Sequence, residues 1–253
     1  RLDVAGLMKR LHRHFGNHYR YLGGGAGTRS GSSIPCVFTA EQGLHESAAV
    51  LGFFTGASTI HAGHGWHRAI GPVVATKTSG DIIAELNWRP AYPVYRQLIR
   101  QATGVDIDGL PFVDVGLKYP LGMLKEDAED LVRVPLRITP EEGLAVIGGI
   151  PTHSVLHVLS GAPEDLIGAG AESARRCTSS LGRSARTKLL FDCVTRPADL
   201  QERYVEELEA IQDGLRPLGP ATLIGALARG EVCGMAGGIP EWLNKTTVIG
   251  AFA

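Results

Sequence analysis

An α+β fold is what the sequence predicts, on three observations. Short runs of strand-like alternation are bounded by glycine-containing turns. Amphipathic helical segments fall among them, and the two types do not follow the strand–helix–strand alternation of a doubly wound sheet. The composition, 20% charged and 44% hydrophobic over 253 residues, is that of a globular chain long enough for one large domain or two smaller ones. No repeat of about 20–50 residues is present, which argues against a solenoid.

Asp3 is placed to cap a helix in which Val4, Leu7, Met8, Leu11 and Phe15 recur at helical spacing. Its other face carries Lys9, Arg10, His12, Arg13 and His14. A short apolar strand over 19–22 leads into Gly23-Gly24-Gly25-Ala26-Gly27, a turn whose glycines allow close approach to the backbone. Neither a Walker nor a dinucleotide-binding glycine pattern occurs there. Strands are expected over 35–39, 47–54, 73–78 and 82–86, as an antiparallel meander. Pro90 opens a helix over 91–102, and strands follow over 131–138, 144–147 and 155–159. Pro163-Glu164-Asp165 sets proline and two carboxylates in the first turn of a helix running to about residue 177. The polar stretch 179–187 reads as a loop and 188–194 as a buried strand. A helix over 198–215 presents Leu200, Tyr204, Leu208, Ile211 and Leu215 on one face. Strands over 222–227 and 246–252 close the pattern, with an exposed loop over 234–240. The strands 188–194 and 246–252 are expected to share a sheet, with the helix 198–215 on one face of it.

A net charge of -1 offers no concentrated basic face for nucleic acid or an anionic membrane. The basic residues near the N-terminus read as a solvated helix face. No apolar run approaches the ~20 residues needed to span a bilayer, and the N-terminus lacks the apolar region of a signal peptide. The chain therefore reads as soluble, and its scattered cysteines, read as free thiols, suit a cytoplasmic compartment. Cys36, Cys177, Cys193 and Cys233 lack CxxC spacing and read as free thiols, with no zinc site or disulfide framework.

His61, His64 and His67 fall at intervals of three, but Gly63 and Gly65 between them argue for a loop rather than one helix face. No carboxylate lies near them in sequence and HExxH is absent, so no metal site is expected. Cys193 and Arg196 follow a buried strand and should stand at its exit, where binding residues gather. An arginine fork grips a carboxylate through two parallel hydrogen bonds. Glu231 follows Gly230 in a turn, and Asn244 opens the last strand. The alternatives are an inert buried thiol at Cys193 and a structural ion pair of Arg196 with Glu231 or Asp199. A nucleophilic Cys193 would need a nearby base, and nothing aligns His153 or His157 with it. No GxSxG elbow or paired-carboxylate motif appears, so no enzyme is expected.

The motifs Gly63-His64-Gly65-Trp66, Asn87-Trp88-Arg89-Pro90-Ala91 and Phe191-Asp192-Cys193-Val194-Thr195-Arg196 carry a resemblance, together with Gly71-Pro72, Tyr119-Pro120-Leu121-Gly122 and Gly230-Glu231-Val232. Their order resembles the FIST domain, a sensory module of bacterial signalling proteins and of some F-box proteins. The resemblance implies a truncated FIST N-like half over 1–87 and a FIST C-like half over 88–253. Members carry roughly another hundred residues before the glycine turn, so the chain is expected to begin inside the first half, against a usual domain of ~100–200 residues. An uncovered sheet edge there would favour a homodimer. The resemblance also implies a receptor for a small, amino-acid-like ligand, working with a signalling partner such as a histidine kinase. Cys193, Arg196, Glu231 and Asn244 would line its pocket, with Arg196 as the anionic anchor. The alternative within the family is a heme b nitric-oxide sensor, with His64 or His67 as axial ligand and Arg68 as propionate partner. A cysteine-dependent enzyme using Cys193 is the remaining alternative.

Overall fold

The computed structural model describes residues 3–27, 34–41, 43–45, 48–126, 128–234 and 238–253. Helix α1 (Val4–Phe15) is followed by strands β1 (Tyr21–Gly24), β2 (Val37–Thr39), β3 (Gly43–His45) and β4 (Ser58–Gly63). Next come β5 (His67–Ser79), β6 (Ile82–Leu86), β7 (Arg89–Pro90), α2 (Ala91–Thr103) and α3 (Phe112–Lys118). Strands β8 (Leu121–Met123), β9 (Leu131–Arg133), β10 (Pro135–Ile138), β11 (Leu144–Val146) and β12 (Val155–Ser160) lead to α4 (Pro163–Leu181). The chain closes with β13 (Thr187–Cys193), α5 (Arg196–Leu200), α6 (Tyr204–Leu215), β14 (Leu223–Ala228), β15 (Glu231–Gly234), β16 (Glu241–Leu243) and β17 (Thr247–Phe252). The fold is α+β with mostly antiparallel sheets. It divides into two compact units, Arg1–Gly63 with Ile167–Ala253, and His64–Leu166.

The unit His64–Leu166 is built on one sheet of order β10-β11-β6-β5-β12-β8-β9, with β7 added beside β6. Helix α2 buries Val94, Tyr95, Leu98 and Ile99, one stripe of a 3.6-residue period. That stripe meets Val73, Ala75, Ile83, Leu86 and Leu156 of the sheet. The Tyr95 hydroxyl is buried with it and donates to the Tyr119 carbonyl at 2.5 Å. Between β6 and β7, Asn87 and Trp88 turn the chain with φ of 49° and 59°. Trp88 is a bulky residue in a region it rarely adopts, and two bonds hold the turn. The Asn87 Oδ1 accepts from the Val74 amide at 2.8 Å, and the Trp88 amide donates to Thr76 Oγ1 at 2.9 Å.

The other unit centres on a four-stranded sheet of order β14-β13-β17-β4. As expected, β13 and β17 pair antiparallel in a shared sheet. Alternation along β13 sends Lys188, Leu190 and Asp192 to one face and Phe191 and Cys193 to the other. On the first face Leu190, Ile249 and Ala251 pack against Ala174, Cys177 and Leu181 of α4 and Ile211 and Leu215 of α6. Each fully buried leucine or isoleucine there stabilises by roughly 1.5–3 kcal/mol relative to an exposed one. The second face meets a three-stranded sheet, β1-β15-β16. Gly24 of β1 lies so near it that a Cβ would stand 2.6 Å from Ala228 and 2.7 Å from Phe191, so the glycine run serves close packing.

Several elements depart from the sequence reading. Ser47 lies outside the described residues, and 48–54 form no strand; Val50, Leu51, Phe53 and Phe54 are exposed. Their apolar character is not matched by any strand partner there, which is what alternation within a single segment fails to report. β13 and β14 run parallel, with α5 and α6 as the crossover. The helix expected over 198–215 is broken at Gln201, whose φ is 51°. Helix α4 continues through Leu181, into the stretch read as loop. In the 234–240 segment, 235–237 lie outside the described residues. Among the described residues no helix is long and apolar enough to cross a membrane.

Candidate functional site

The parity of β13 decides what gathers at its end. Asp192 faces the helix side, opposite Thr247 of β17 in the register of the sheet. Thr247 Oγ1 donates to Asp192 Oδ1 at 2.6 Å, and the Tyr204 hydroxyl at the start of α6 donates to Asp192 Oδ2 at 2.9 Å. Arg196, one turn past the strand, reaches back: its Nε lies 3.4 Å from Asp192 Oδ1 and donates to Glu207 Oε1 of α6 at 2.9 Å. Its Nη2 also donates to Glu207, and Nη1 donates to the Lys245 carbonyl at 3.1 Å. Arg196 and Glu207 are both 0% exposed.

The turn Asn244-Lys245-Thr246, which leads into β17, completes the cluster. The Cys193 amide donates to the Thr246 carbonyl at 3.2 Å, and the Thr246 amide donates to Glu231 Oε2 at 3.3 Å. Lys245, with a φ of 55°, is buried and its Nζ donates to Asp199 Oδ2 at 2.6 Å. The cluster thus sets two cations, Arg196 and Lys245, among four carboxyls, Asp192, Asp199, Glu207 and Glu231.

Burial governs its electrostatics. Desolvation raises Asp192, Asp199 and Glu207 above the usual carboxylate range despite their cationic neighbours, and raises Glu231 well above it. Glu207 Oε2 and Glu231 Oε1 are buried without a hydrogen-bond partner. A protonated carboxyl at these places avoids burying an unpaired anionic oxygen. Lys245 is pushed down by the same desolvation, which Asp199 offsets only in part. Arg196 is raised: desolvation acts to lower it, and Glu207 and Asp192 outweigh that. Burial, reinforced by Glu231, pushes the Cys193 thiol up to about 12, so a thiolate is scarce at neutral pH.

Beside this cluster a cleft of about 620 Å³ opens between α6 and the β13–β14 floor. Asp192 and Tyr204 stand at one end and Lys188 at the other, with Leu190, Leu208 and Leu223 between. β14 is an edge strand, and Ile224 and Leu227 on it are exposed.

Cys193, Arg196, Glu231 and Asn244 are therefore brought to one place, but inside the protein, and none of the four lines the cleft. Arg196, expected from sequence to anchor a ligand carboxylate, has its guanidinium wholly buried and engaged by Glu207, Asp192 and the Lys245 carbonyl. Glu207 and Asp192 are its ion-pair partners, and Asp199 and Glu231, the two weighed from sequence, also feel its charge. Asp192, Tyr204, Glu207 and Lys188 were missed. Their signal was present: Lys188 and Asp192 are charged residues in a buried strand, and Glu207 lies at helical spacing from Tyr204 and Ile211 on the apolar face of α6.

The histidines stand apart from this chemistry. His64 Nδ1 accepts from the Trp66 amide at 2.8 Å, which leaves Nε2 as the protonated nitrogen, donating to the Asp130 carbonyl at 2.9 Å. Both ring nitrogens are occupied. His67 is exposed, 3.5 Å from Asp165. The Arg68 fork is closed on Asp130, at 2.8 and 2.6 Å. These three residues do not fit heme, which needs a free imidazole nitrogen facing an apolar slot and a cation free for a propionate. His61 Nε2 lies 3.0 Å from Ser180 Oγ. Among the described residues no group of three or more His, Cys, Asp or Glu is arranged to hold a metal ion.

Comparison with family models matches the FIST N domain over residues 2–89 and the FIST C domain over residues 91–234. The β13 residues, Arg196, Glu207 and Glu231 lie within the second match, and Lys245 and Thr247 follow it. No curated protein matches the chain. FIST domains are associated with sensory and signal-transduction roles. With family models matching nearly its whole length, the chain belongs to the FIST domain family.

Proposed function

We propose that this domain is a sensory receptor for a small ligand, seated in the cleft between α6 and β14, and that it passes its state to a signalling partner such as a histidine kinase. The observation that carries the reading is the double engagement of Asp192. Through Tyr204 it reaches the cleft, and through Arg196 and Thr247 it belongs to the buried ion cluster. The cleft volume of about 620 Å³ falls in the range of small-molecule sites, and its apolar walls with a few polar groups fit that class. A ligand that changes the environment of Asp192 changes the balance of a cluster whose charges are not matched in number. Such a cluster can supply the two states of different affinity that signalling requires.

The reading is non-enzymatic. Cys193 is buried and its thiol is held up by desolvation, which argues against a nucleophile. No observation favours the heme alternative, since His64 and Arg68 are already engaged. Free cysteines suit a reducing, cytoplasmic compartment.

Thermal melting against a small-molecule library tests the reading. A ligand of the cleft should raise the melting temperature, and Leu208→Trp, which plugs the cleft wall, should abolish that rise. The same variant should silence any ligand-dependent change in the partner. A ligand whose stabilisation survives the plug would place the site elsewhere and sink the proposal.

A further inference from the structure

We infer that the cleft recognises a free, extended oligopeptide of about four residues, with its N-terminal ammonium at Asp192 and Tyr204 and its C-terminal carboxylate at Lys188, an inference that rests on the cleft being the ligand seat. Lys188 and Asp192 face the same side of β13, four residue steps apart, which is about 13 Å at roughly 3.3 Å per residue. A peptide of four residues lying extended over that strand spans the same distance. The charges at the two ends are opposite, so the complementary molecule is zwitterionic.

The Lys188 end is built for an anion. Its side chain is buried, and its Nζ donates to the Gly219 carbonyl at 2.6 Å. An ammonium has three donors, so that bond leaves two for a terminal carboxylate. The Asp192 end is built for a cation. Asp192 and Glu207 face a single guanidinium, that of Arg196, so an arriving ammonium supplies positive charge that the cluster otherwise makes up by holding protons. The Tyr204 hydroxyl directs its proton to Asp192 and keeps lone pairs for an incoming ammonium. Between the ends Leu190, Leu208 and Leu223 offer an apolar bed for side chains, and the Gln212 amide lies along the wall to meet a peptide group. Because both ends read a charged terminus, the source is a free peptide and not an internal or tail segment of a protein.

Isothermal titration of the intact chain with alanine homopeptides of about two to six residues tests this directly. Affinity should peak near four, and acetylating the N-terminus or amidating the C-terminus of that peptide should weaken binding by about tenfold or more. In Lys188→Met the free acid and the amide should bind alike, while sensitivity to N-acetylation remains. The blocked peptides are titrated into the unaltered protein, so the test stands even where Lys188→Met fails to fold. Affinity that ignores length or blocked termini, or no peptide binding at all, overturns the inference. Decanoate serves as the contrasting probe. If it binds and Leu208→Trp abolishes that binding while peptides do nothing, the peptide inference falls and the receptor reading stands. If peptides bind equally well to Leu208→Trp, both fall.

Discussion

Each compact unit contains an arginine closed on a carboxylate, and the two pairs behave differently because of where they sit. In the unit His64–Leu166, Arg68 grips Asp130 with both nitrogens of its fork; the arginine side chain is 45% exposed and the aspartate 4%. In the other unit Arg196 is 0% exposed and divided between Asp192 and Glu207, with Glu231 close behind Cys193. Burial acts to raise Asp130, but the Arg68 hydrogen bonds and charge outweigh it and hold the carboxyl below its usual range. In the Arg196 cluster the same kind of partner does not suffice, and Asp192 and Glu207 stay raised. One guanidinium that keeps contact with water satisfies one carboxylate; one guanidinium sealed among several carboxyls leaves an excess of acid that protonation relieves.

Removing the two arginines gives the sharpest contrast. Arg196→Ala should lose about 3–5 kcal/mol, because it leaves buried Asp192 and Glu207 without the guanidinium they share. Denaturant unfolding of the ligand-free protein measures it. An Arg196→Ala protein of nearly unchanged stability would reverse the comparison and return Arg196 to the role of ligand anchor.

The pH dependence should differ in sign between the two sites. Asp192, Glu207 and Glu231 bind protons more tightly folded than unfolded, so their contribution is complete below about pH 4, the unfolded value, and is lost as pH rises through their raised values. Asp130 is depressed, so its contribution is present above about pH 4 and is lost as pH falls through its lowered value. Unfolding midpoints across pH should show Glu231→Gln flattening the loss on the rising side and Asp130→Asn flattening it on the acid side. Each unit of pKa difference corresponds to about 1.4 kcal/mol. A Glu231→Gln profile that parallels the parent would mean that Glu231 is not held protonated.

The smallest effect separates the pairs by salt. Arg68→Ala should lower the melting temperature less than Arg196→Ala does, and the loss should shrink further at high ionic strength, because solvent ions screen a pair whose arginine is half-exposed. The loss in Arg196→Ala should hardly respond. Equal salt sensitivity in both variants would show that water reaches the buried cluster.

Much of this arrangement was legible along the chain. Asp3 caps α1 by accepting from the Gly6 amide at 2.9 Å, Pro90 precedes α2, and Pro163 opens α4. The buried strand ending at Cys193 and its pairing with the last strand were also readable, since alternation within β13 and β17 reports which residues face a core. Cys193, Arg196, Glu231 and Asn244 could be named as neighbours of strand ends, but their depth could not. Phe53 and Phe54 show the converse: an apolar run read as a strand remains exposed and unpaired in any sheet.

Sequence by itself determined the α+β class, most element positions and the presence of an arginine just past a buried strand. Those features depend on residues within a few positions of one another, through side-chain period, capping and turn chemistry. Only the tertiary structure decided that Arg196 faces Glu207 and Asp192, that β14 lies parallel to β13, and that Lys188 and Asp192 stand at opposite ends of a cleft. The partner of a charged side chain is chosen by how α6 and the Asn244-Lys245-Thr246 turn pack around the strand. Burial then sets the strength and protonation of that partnership, because desolvation depends on every layer above a group and not on its neighbours in sequence.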